Sequence, residues 1–445
     1  MMTKNIFGTD GVRGRANEGY ITPENAMKLA VSVVNYYLSN NHETVNNKFT
    51  VVIGKDTRLS GYMLEPALTS GFIAAGADVF LLGPIPTPAV AFMTKSLRAD
   101  LGVVISASHN PYQDNGIKFF NSNGFKISPE DEIKISEIFF ENQKLASPDH
   151  MGKAKRLDDA AGRYIEFAKN SFPKNLSLNG MKIVVDTSNG AAYKIAPLVF
   201  WELGAEVIKI GNNPDGLNIN KNCGATDTAL LQKTVIETKA DIGIALDGDA
   251  DRLIVVDENG EVLDGDYVIA AIATDWKNSG KLSNDKVVAT KMSNLGMEKY
   301  LESIGLELVR SDVGDKYVLE KMLEIGSNIG GEKSGHVIPI DYSSTGDGTV
   351  SALQILAYLQ KNNLKSSSIR KLFISYPQIF KNTQKDIDLN DPNISKIINE
   401  VENDLGENGR IIIRKSGTEK ITRIMIESIS ESDIQKALKK IEKII

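Results

Sequence analysis

The chain repeats itself. Residues 99–105 read Ala-Asp-Leu-Gly-Val-Val-Ile, and residues 240–246 read Ala-Asp-Ile-Gly-Ile-Ala-Leu. Each is an uninterrupted apolar run of the length of a buried strand. Each also stands third in a series. A strand at 50–56, a helix at 62–76 and a strand at 78–83 precede the first run; a strand at 182–186, a helix at 193–203 and a strand at 206–211 precede the second. A looser third series runs through 286–290, 297–304 and 306–310, with a short element at 328–331 in the third-strand place. Strands alternating with helices predict α/β domains with mixed or mostly parallel sheets and helices on both faces. The copies are too long for a solenoid, so each is expected to be a domain. The last stretch differs. Helical patterns at 395–405 and 431–444 flank strands at 410–413 and 422–426, which reads as a small α+β domain beginning near 373–380. Asn, Ser and Lys around 361–368 suit a surface linker before it. The expected boundaries are 1–153, 154–252, 253–366 and 367–445, with the domains arranged around a central cleft.

A length of 445 residues is too great for one ordinary core and agrees with several domains. Hydrophobic content of 42% and charged content of 24% are those of a soluble globular protein. No apolar run approaches the roughly 18 residues of a membrane helix, and the polar start carries no signal-peptide core. Cys223 is the one cysteine, so an internal disulfide is impossible. These features point to the cytoplasm, with no membrane partner. A net charge of −6 without a Lys/Arg block argues against nucleic acid. An acidic protein that binds anions must use local cations. Arg13, Lys118, Arg252, Arg414, Lys415 and Arg423 lie in or beside Gly- or Ser-containing loops.

The third element of each series runs into a different polar loop, and ligands of open α/β sheets sit at such strand ends. The first loop is Ser106-Ala107-Ser108-His109-Asn110-Pro111, the second Asp247-Gly248-Asp249-Ala250-Asp251-Arg252, the third Glu332-Lys333-Ser334-Gly335-His336. A hydroxyl in the first can carry a phosphoryl group, and His109 beside it can orient it or exchange a proton. An ordinary strand-to-loop turn is the plainer alternative. In the second, carboxylates at alternate positions can converge on one hard cation, with small residues between them. An EF-hand is a poor fit, because Arg252 stands where position 6 needs glycine and 253–256 read as a strand. A solvated acidic turn stays open. Together the serine and aspartate loops suggest phosphoryl transfer with a divalent metal. Lys118 offers a general acid/base, a phosphate clamp, or merely a surface strand residue. Glu332, Ser334 and His336 offer partners for sugar hydroxyls. Arg414-Lys415-Ser416-Gly417-Thr418 combines a guanidinium fork, hydroxyls and freed backbone N–H groups, as a phosphate site needs, although a polar hairpin looks similar.

Phe7-Gly8-Thr9-Asp10-Gly11-Val12-Arg13-Gly14, the serine loop, the aspartate loop, the Glu332 loop and the Arg414 loop, in this order, resemble the α-D-phosphohexomutases essentially end to end. The opening motif, the serine loop and 114–120 are similar to the glucosamine branch rather than the mannose/glucose branch. The resemblance implies four domains and a cytoplasmic enzyme, a monomer or homodimer. It would interconvert glucosamine 6-phosphate and glucosamine 1-phosphate through a 1,6-bisphosphate. It implies a phosphoserine at Ser108, and Mg²⁺ held by Ser108, Asp247, Asp249 and Asp251. Arg13, His109 and Lys118 would assist transfer; Arg252, Glu332, Ser334 and His336 would bind sugar; Arg414, Ser416, Gly417, Thr418 and Arg423 would hold the distal phosphate. Mannose or glucose phosphates are the alternative substrates, and a non-catalytic sugar-phosphate-binding protein the more distant reading. Two positions depart from the pattern. Lys420 follows Glu419 where the family usually has proline, and Lys333 stands where the glucosamine branch more often has glutamine.

Overall fold

A computed structural model describes residues 5–39, 48–384, 387–388, 391–415 and 421–442. The chain divides into two compact units. One holds residues 1–292 and 309–370, the other 293–308 and 371–445.

In the first unit the apolar runs form the strands Leu101–Ile105 and Ile242–Leu246, every residue of which is buried. Residues on both faces of each strand are buried, which is why they read as continuous hydrophobic runs rather than alternating ones. The first sheet has the order Val12–Arg15, Asp114–Asn121, Leu101–Ile105, Thr50–Lys55, Asp78–Pro84, Ala154–Arg156. The second has the order Val262–Leu263, Leu253–Asp257, Ile242–Leu246, Lys182–Asp186, Glu206–Ile210. The third has the order Glu307–Ser311, Lys286–Thr290, Ile329–Gly331, Val337–Pro339.

The repeat is real in topology. In all three sheets the second strand of the series lies beside the first, the first beside the third, and the third beside a following strand. First and third strands pair in parallel, whereas third and following strands pair antiparallel. Each polar loop therefore connects two adjacent antiparallel strands, so its ends are fixed by sheet hydrogen bonds.

Strand pairing moves two expected boundaries. Leu253–Asp257 pairs residue by residue with Ile242–Leu246, so a cut between 252 and 253 would divide the second sheet, which extends to Leu263. Ala154–Arg156 adds to the first sheet beside Asp78–Pro84, so that sheet passes 153. The stretch 361–368 also differs from a free linker. Ser366–Lys371 is a 3₁₀ turn, and Glu258 accepts hydrogen bonds from the Ser367 backbone (2.8 Å) and hydroxyl (2.6 Å).

The second unit contains an antiparallel sheet in the order Gln378–Thr383, Thr422–Ser428, Gly409–Lys415, with helices Pro392–Leu405 and Glu431–Ile441. The helices pack on the sheet through Val401, Leu405, Ile434, Ala437 and Ile441, at the spacing of amphipathic helices. This is the expected α+β domain, with Gln378–Thr383 as an added edge strand. Among the described residues no helix is long and apolar enough to cross a membrane.

Candidate active site

The serine loop leaves Leu101–Ile105 and immediately adopts an unusual backbone. Ser108 has φ +50°, the left-handed region that a residue with a Cβ enters only at a cost of about 1–3 kcal/mol. A buried guanidinium opposes that cost. Arg58 Nη2 donates to the carbonyls of Ser108 (2.9 Å) and Asn110 (2.8 Å). Its Nη1 donates to the carbonyl of Asp114 (3.0 Å) and also to that of Pro111. Asp56 holds the guanidinium in turn, accepting from Arg58 Nε at 2.7 Å and from the Ser106 hydroxyl at 2.6 Å. Ser106 Oγ then accepts from the Ser108 N–H at 2.9 Å. The loop is thus fixed through its backbone, which leaves the Ser108 hydroxyl for other work.

That hydroxyl meets the aspartate loop. Ser108 Oγ donates to Asp247 Oδ2 at 2.6 Å. Asp247, Asp249 and Asp251 are buried, and each offers an oxygen within 4.8 Å of the others. Ala250, at φ +60°, turns the loop so that alternate side chains converge. Burial, then Asp251 and Asp249, push Asp247 well above the usual carboxylate range. Asp249 Oδ2 accepts from Thr87 Oγ1 (2.7 Å) and Lys118 Nζ (2.9 Å). Among the described residues, Asp249 Oδ1 and Asp251 Oδ1 are buried without a hydrogen-bond partner. Buried carboxylate oxygens with no donor, crowded against their like, are the donor set of a hard divalent cation. This cluster can bind a metal.

Cations and their counter-ions surround it. Lys118 lies 2.9 Å from Asp249, 3.1 Å from Asp10 and 3.7 Å from Asp251. Burial works against its charge, but Asp10, Asp249 and Asp251 outweigh burial and raise its pKa. Of the roles open to Lys118, this environment suits a fixed cation rather than a base. Arg13 pairs with Asp10, and Lys126 bridges Asp10 and Asp315. His109 Nδ1 lies 3.3 Å from Ser108 Oγ. Burial, with Arg252 and Arg13 nearby, lowers its pKa to about 4. Arg252 donates its backbone N–H to Asp247 Oδ1 at 3.1 Å, while its buried Nε has no partner among the described residues.

The third loop supplies Glu332, whose Oε1 accepts from the Gly314 N–H at 3.1 Å, and Ser334, which is exposed. His336 does not fit the expected sugar contact. It is 3% exposed, its Nδ1 is 3.7 Å from Asp251 and its Nε2 accepts from the Gly346 N–H at 3.2 Å. Both ring nitrogens are directed at protein groups, so the residue braces Asp251 instead.

In the second unit, Arg414 and Arg423 stand directly opposite each other on paired strands. Burial and the neighbouring Arg423 charge lower the pKa of Arg414. Like charges opposed in this way are unfavourable unless an anion lies between them. Ser416, Gly417, Thr418, Glu419 and Lys420 lie outside the described residues.

Known proteins show the same arrangement of parts. The α/β/α domains I, II and III of phosphoglucomutase/phosphomannomutase match residues 4–146, 162–260 and 264–376, and the C-terminal domain matches 377–444. A curated relative from Paramagnetospirillum magneticum, named phosphoglucosamine mutase, is 53% identical over 443 residues, covering 98% of this chain and 97% of that protein. The chain belongs to the phosphohexomutase family. Another relative of that name, from Bradyrhizobium diazoefficiens, is 53% identical over 430 residues, covering 96% and 95%. Among solved structures, a phosphoglucomutase/phosphomannomutase family protein from Burkholderia thailandensis has a TM-score of 0.83 at 22% identity, covering 100% of this chain and 97% of that one. The Aspergillus fumigatus N-acetylphosphoglucosamine mutase, solved with GlcNAc-6P and magnesium, has a TM-score of 0.66 at 15% identity, covering 97% and 93%. At these identities the two structures speak for the fold.

Several residues of this phosphohexomutase's site escaped sequence reasoning. Asp56 and Arg58 follow directly on the strand Thr50–Lys55, and charge at a strand's C-terminal end was a signal available to be read. Thr87, Lys126 and Asp315 carry no sequence signal, since only the tertiary fold brings them to the carboxylates. Arg58→Met should expose the structural dependence. It leaves Asp56 buried without its cation and strips donors from the loop carbonyls, a change expected to cost about 3–5 kcal/mol. Denaturant unfolding should show that loss, and the activity of the folded fraction should fall with it. Unchanged stability would contradict the clamp.

Proposed function

We propose that the protein is an Mg²⁺-dependent phosphoglucosamine mutase, interconverting glucosamine 6-phosphate and glucosamine 1-phosphate in the cytoplasm. The observation that carries the chemistry is the Ser108 hydroxyl 2.6 Å from a carboxylate of the buried triad. The substrate is supported by the full-length relatives that bear this name.

In this reading phospho-Ser108 gives its phosphoryl group to the sugar 1-hydroxyl. The bond from phosphorus to Ser108 Oγ breaks, a bond to O1 forms, and the O1 proton ends on Oγ. The 1,6-bisphosphate then presents its 6-phosphate. Oγ attacks it, the bond to O6 breaks, and the proton passes to O6. His109 Nδ1, 3.3 Å from Oγ, is placed to carry that proton. Asp247, Asp249, Asp251 and a phosphoryl oxygen on Ser108 would hold the Mg²⁺. When bound, the ion neutralises charge on the transferring group. Lys118, paired with Asp249, Asp10 and Asp251, and Arg13, paired with Asp10, would assist at the transferring group. Arg252, Glu332 and Ser334 would orient the sugar. Arg414 and Arg423, with Ser416, Gly417 and Thr418, would grip whichever phosphate is not reacting. Four domains divide these tasks, and glucosamine 1,6-bisphosphate acts as activator as well as intermediate.

Ser108→Ala should reduce turnover of glucosamine 6-phosphate by many orders of magnitude and keep the fold. Intact-mass analysis should find one phosphoryl group on the wild type and none on the variant. Near-normal turnover in the variant would remove Ser108 from the reaction. Glucose and mannose phosphates assayed beside glucosamine phosphate should be slower, and a preference for either would overturn the substrate.

Arg414→Ala and Arg423→Ala should each raise the KM for glucosamine 6-phosphate. A charge-assisted hydrogen bond is worth about 1.5–3 kcal/mol, or roughly a ten- to hundredfold weakening. A bisphosphate held less firmly should also escape, so added glucosamine 1,6-bisphosphate should restore rate. Unchanged KM in both variants would make this loop a surface hairpin.

A further inference from the structure

We infer that Asn220 is a positioning residue for the phosphoryl-carrying serine, an inference that rests on the reading of Ser108 given above. Asn220 lies outside every loop assigned to the reaction, in the connection between the strand Glu206–Ile210 and the helix Ala229–Thr238. Its Nδ2 donates to the carbonyl of Ser108 at 2.9 Å and to that of Asn110 at 3.1 Å. These are two of the carbonyls that Arg58 Nη2 holds from the other side. The Ser108 carbonyl therefore takes one donor from the first sheet's domain and one from the second's, which fills both of its lone pairs.

The carboxamide has no competing task. Asn220 Oδ1 is buried with no hydrogen-bond partner among the described residues, so the two donated bonds fix its orientation. A flipped amide would set Oδ1 against two carbonyl oxygens. The backbone around it is built for the purpose. Asn220 has φ +57°, and its N–H donates to the Ser188 carbonyl at 2.9 Å. Ser188, at φ +47°, is anchored by its Oγ to the Leu246 carbonyl, at the end of the strand that leads into the aspartate loop.

The aspartate loop closes the arrangement. A Cβ on Gly248 would lie 2.5 Å from the Ser108 carbonyl and 2.8 Å from Asn220 Nδ2. Gly248 is thus the point where the metal loop, the serine loop and Asn220 pack without room for a side chain. One carboxamide spans the seam between the domain that carries the nucleophile and the domain that carries the carboxylates. It holds Ser108 in its left-handed backbone with Oγ against Asp247. Displacement of a reacting atom by about 1 Å can cost a hundredfold in rate.

Asn220→Gly separates the two things Asn220 does. Glycine accepts φ +57° freely and so keeps the turn, but it has no donor for the serine loop. The readout is a single turnover. Enzyme labelled with ³²P on Ser108 is mixed with unlabelled glucosamine 6-phosphate, and transfer of the label from protein to sugar is followed in time. Asn220→Gly should slow this step by about ten- to a hundredfold. The steady-state KM for glucosamine 6-phosphate should stay within about threefold, because the sugar and the distal phosphate are held elsewhere. A merely structural asparagine predicts the opposite, full rate with the turn preserved. A single-turnover rate within threefold of wild type would overturn the inference. If the glycine variant does not fold, Asn220→Ala carries the same test, since it lacks the donor and adds no charge beside the two carbonyls. Turnover in Ser108→Ala would instead overturn the reading of Ser108, so the two failures are distinct.

Discussion

Three carboxylates buried within 4.8 Å of one another repel, and they persist as anions only where cations face them. Much of the first unit's interior chemistry answers that constraint. Lys118 sits among Asp249, Asp10 and Asp251, and Arg252 turns its backbone N–H to Asp247. Burial opposes ionisation of Asp251, yet Lys118, His336 and Arg252 outweigh it and hold its carboxyl well below the usual range. Even so, Asp249 and Asp251 each keep a buried oxygen without a partner, and Asp247 is pushed up rather than down. The protein's own cations leave the cluster under-neutralised. A divalent ion, and the phosphoryl chemistry that needs one, fits that remainder.

Topology sets where the constraint is met. The same strand order occurs in three sheets, and each time the third strand turns into an antiparallel neighbour through a short polar loop. The scaffold is common and the loops are specialised: a hydroxyl, a carboxylate cluster, and a glutamate with a serine. Backbone strain is concentrated where the loops meet, at Ser108, Ser188, Asn220 and Ala250, all with positive φ. Such residues persist where surrounding bonds over-determine them, and here Arg58, Asp56 and Asn220 supply those bonds.

The sequence showed what local pattern can encode. Repeated apolar runs marked the buried strands, since a strand covered on both faces of its sheet must be apolar on both. Ser108 and the aspartates stood out because their chemistry needs particular residue types in close succession. The domain boundaries at 153 and 252 were misplaced because an edge strand or a following antiparallel strand has no periodic mark of ownership. Leu253–Asp257 reads as a strand, but pairing alone assigns it to the second sheet. His336 was expected at the sugar because its motif is polar, whereas its place against Asp251 depends on the aspartate loop, far back along the chain, and on the backbone of Gly346. Arg58 stood at a strand end where its charge could be read, whereas Asn220 acts through loop carbonyls and left no such mark.

The central claim is that one serine carries the phosphoryl group between two positions of the same sugar. Enzyme labelled with ³²P on Ser108 and mixed with unlabelled glucosamine 6-phosphate tests it directly. The account predicts that the label leaves the protein and appears first at O1, in the 1,6-bisphosphate and then in glucosamine 1-phosphate. Label that stays on the protein, or leaves only as inorganic phosphate, would contradict it.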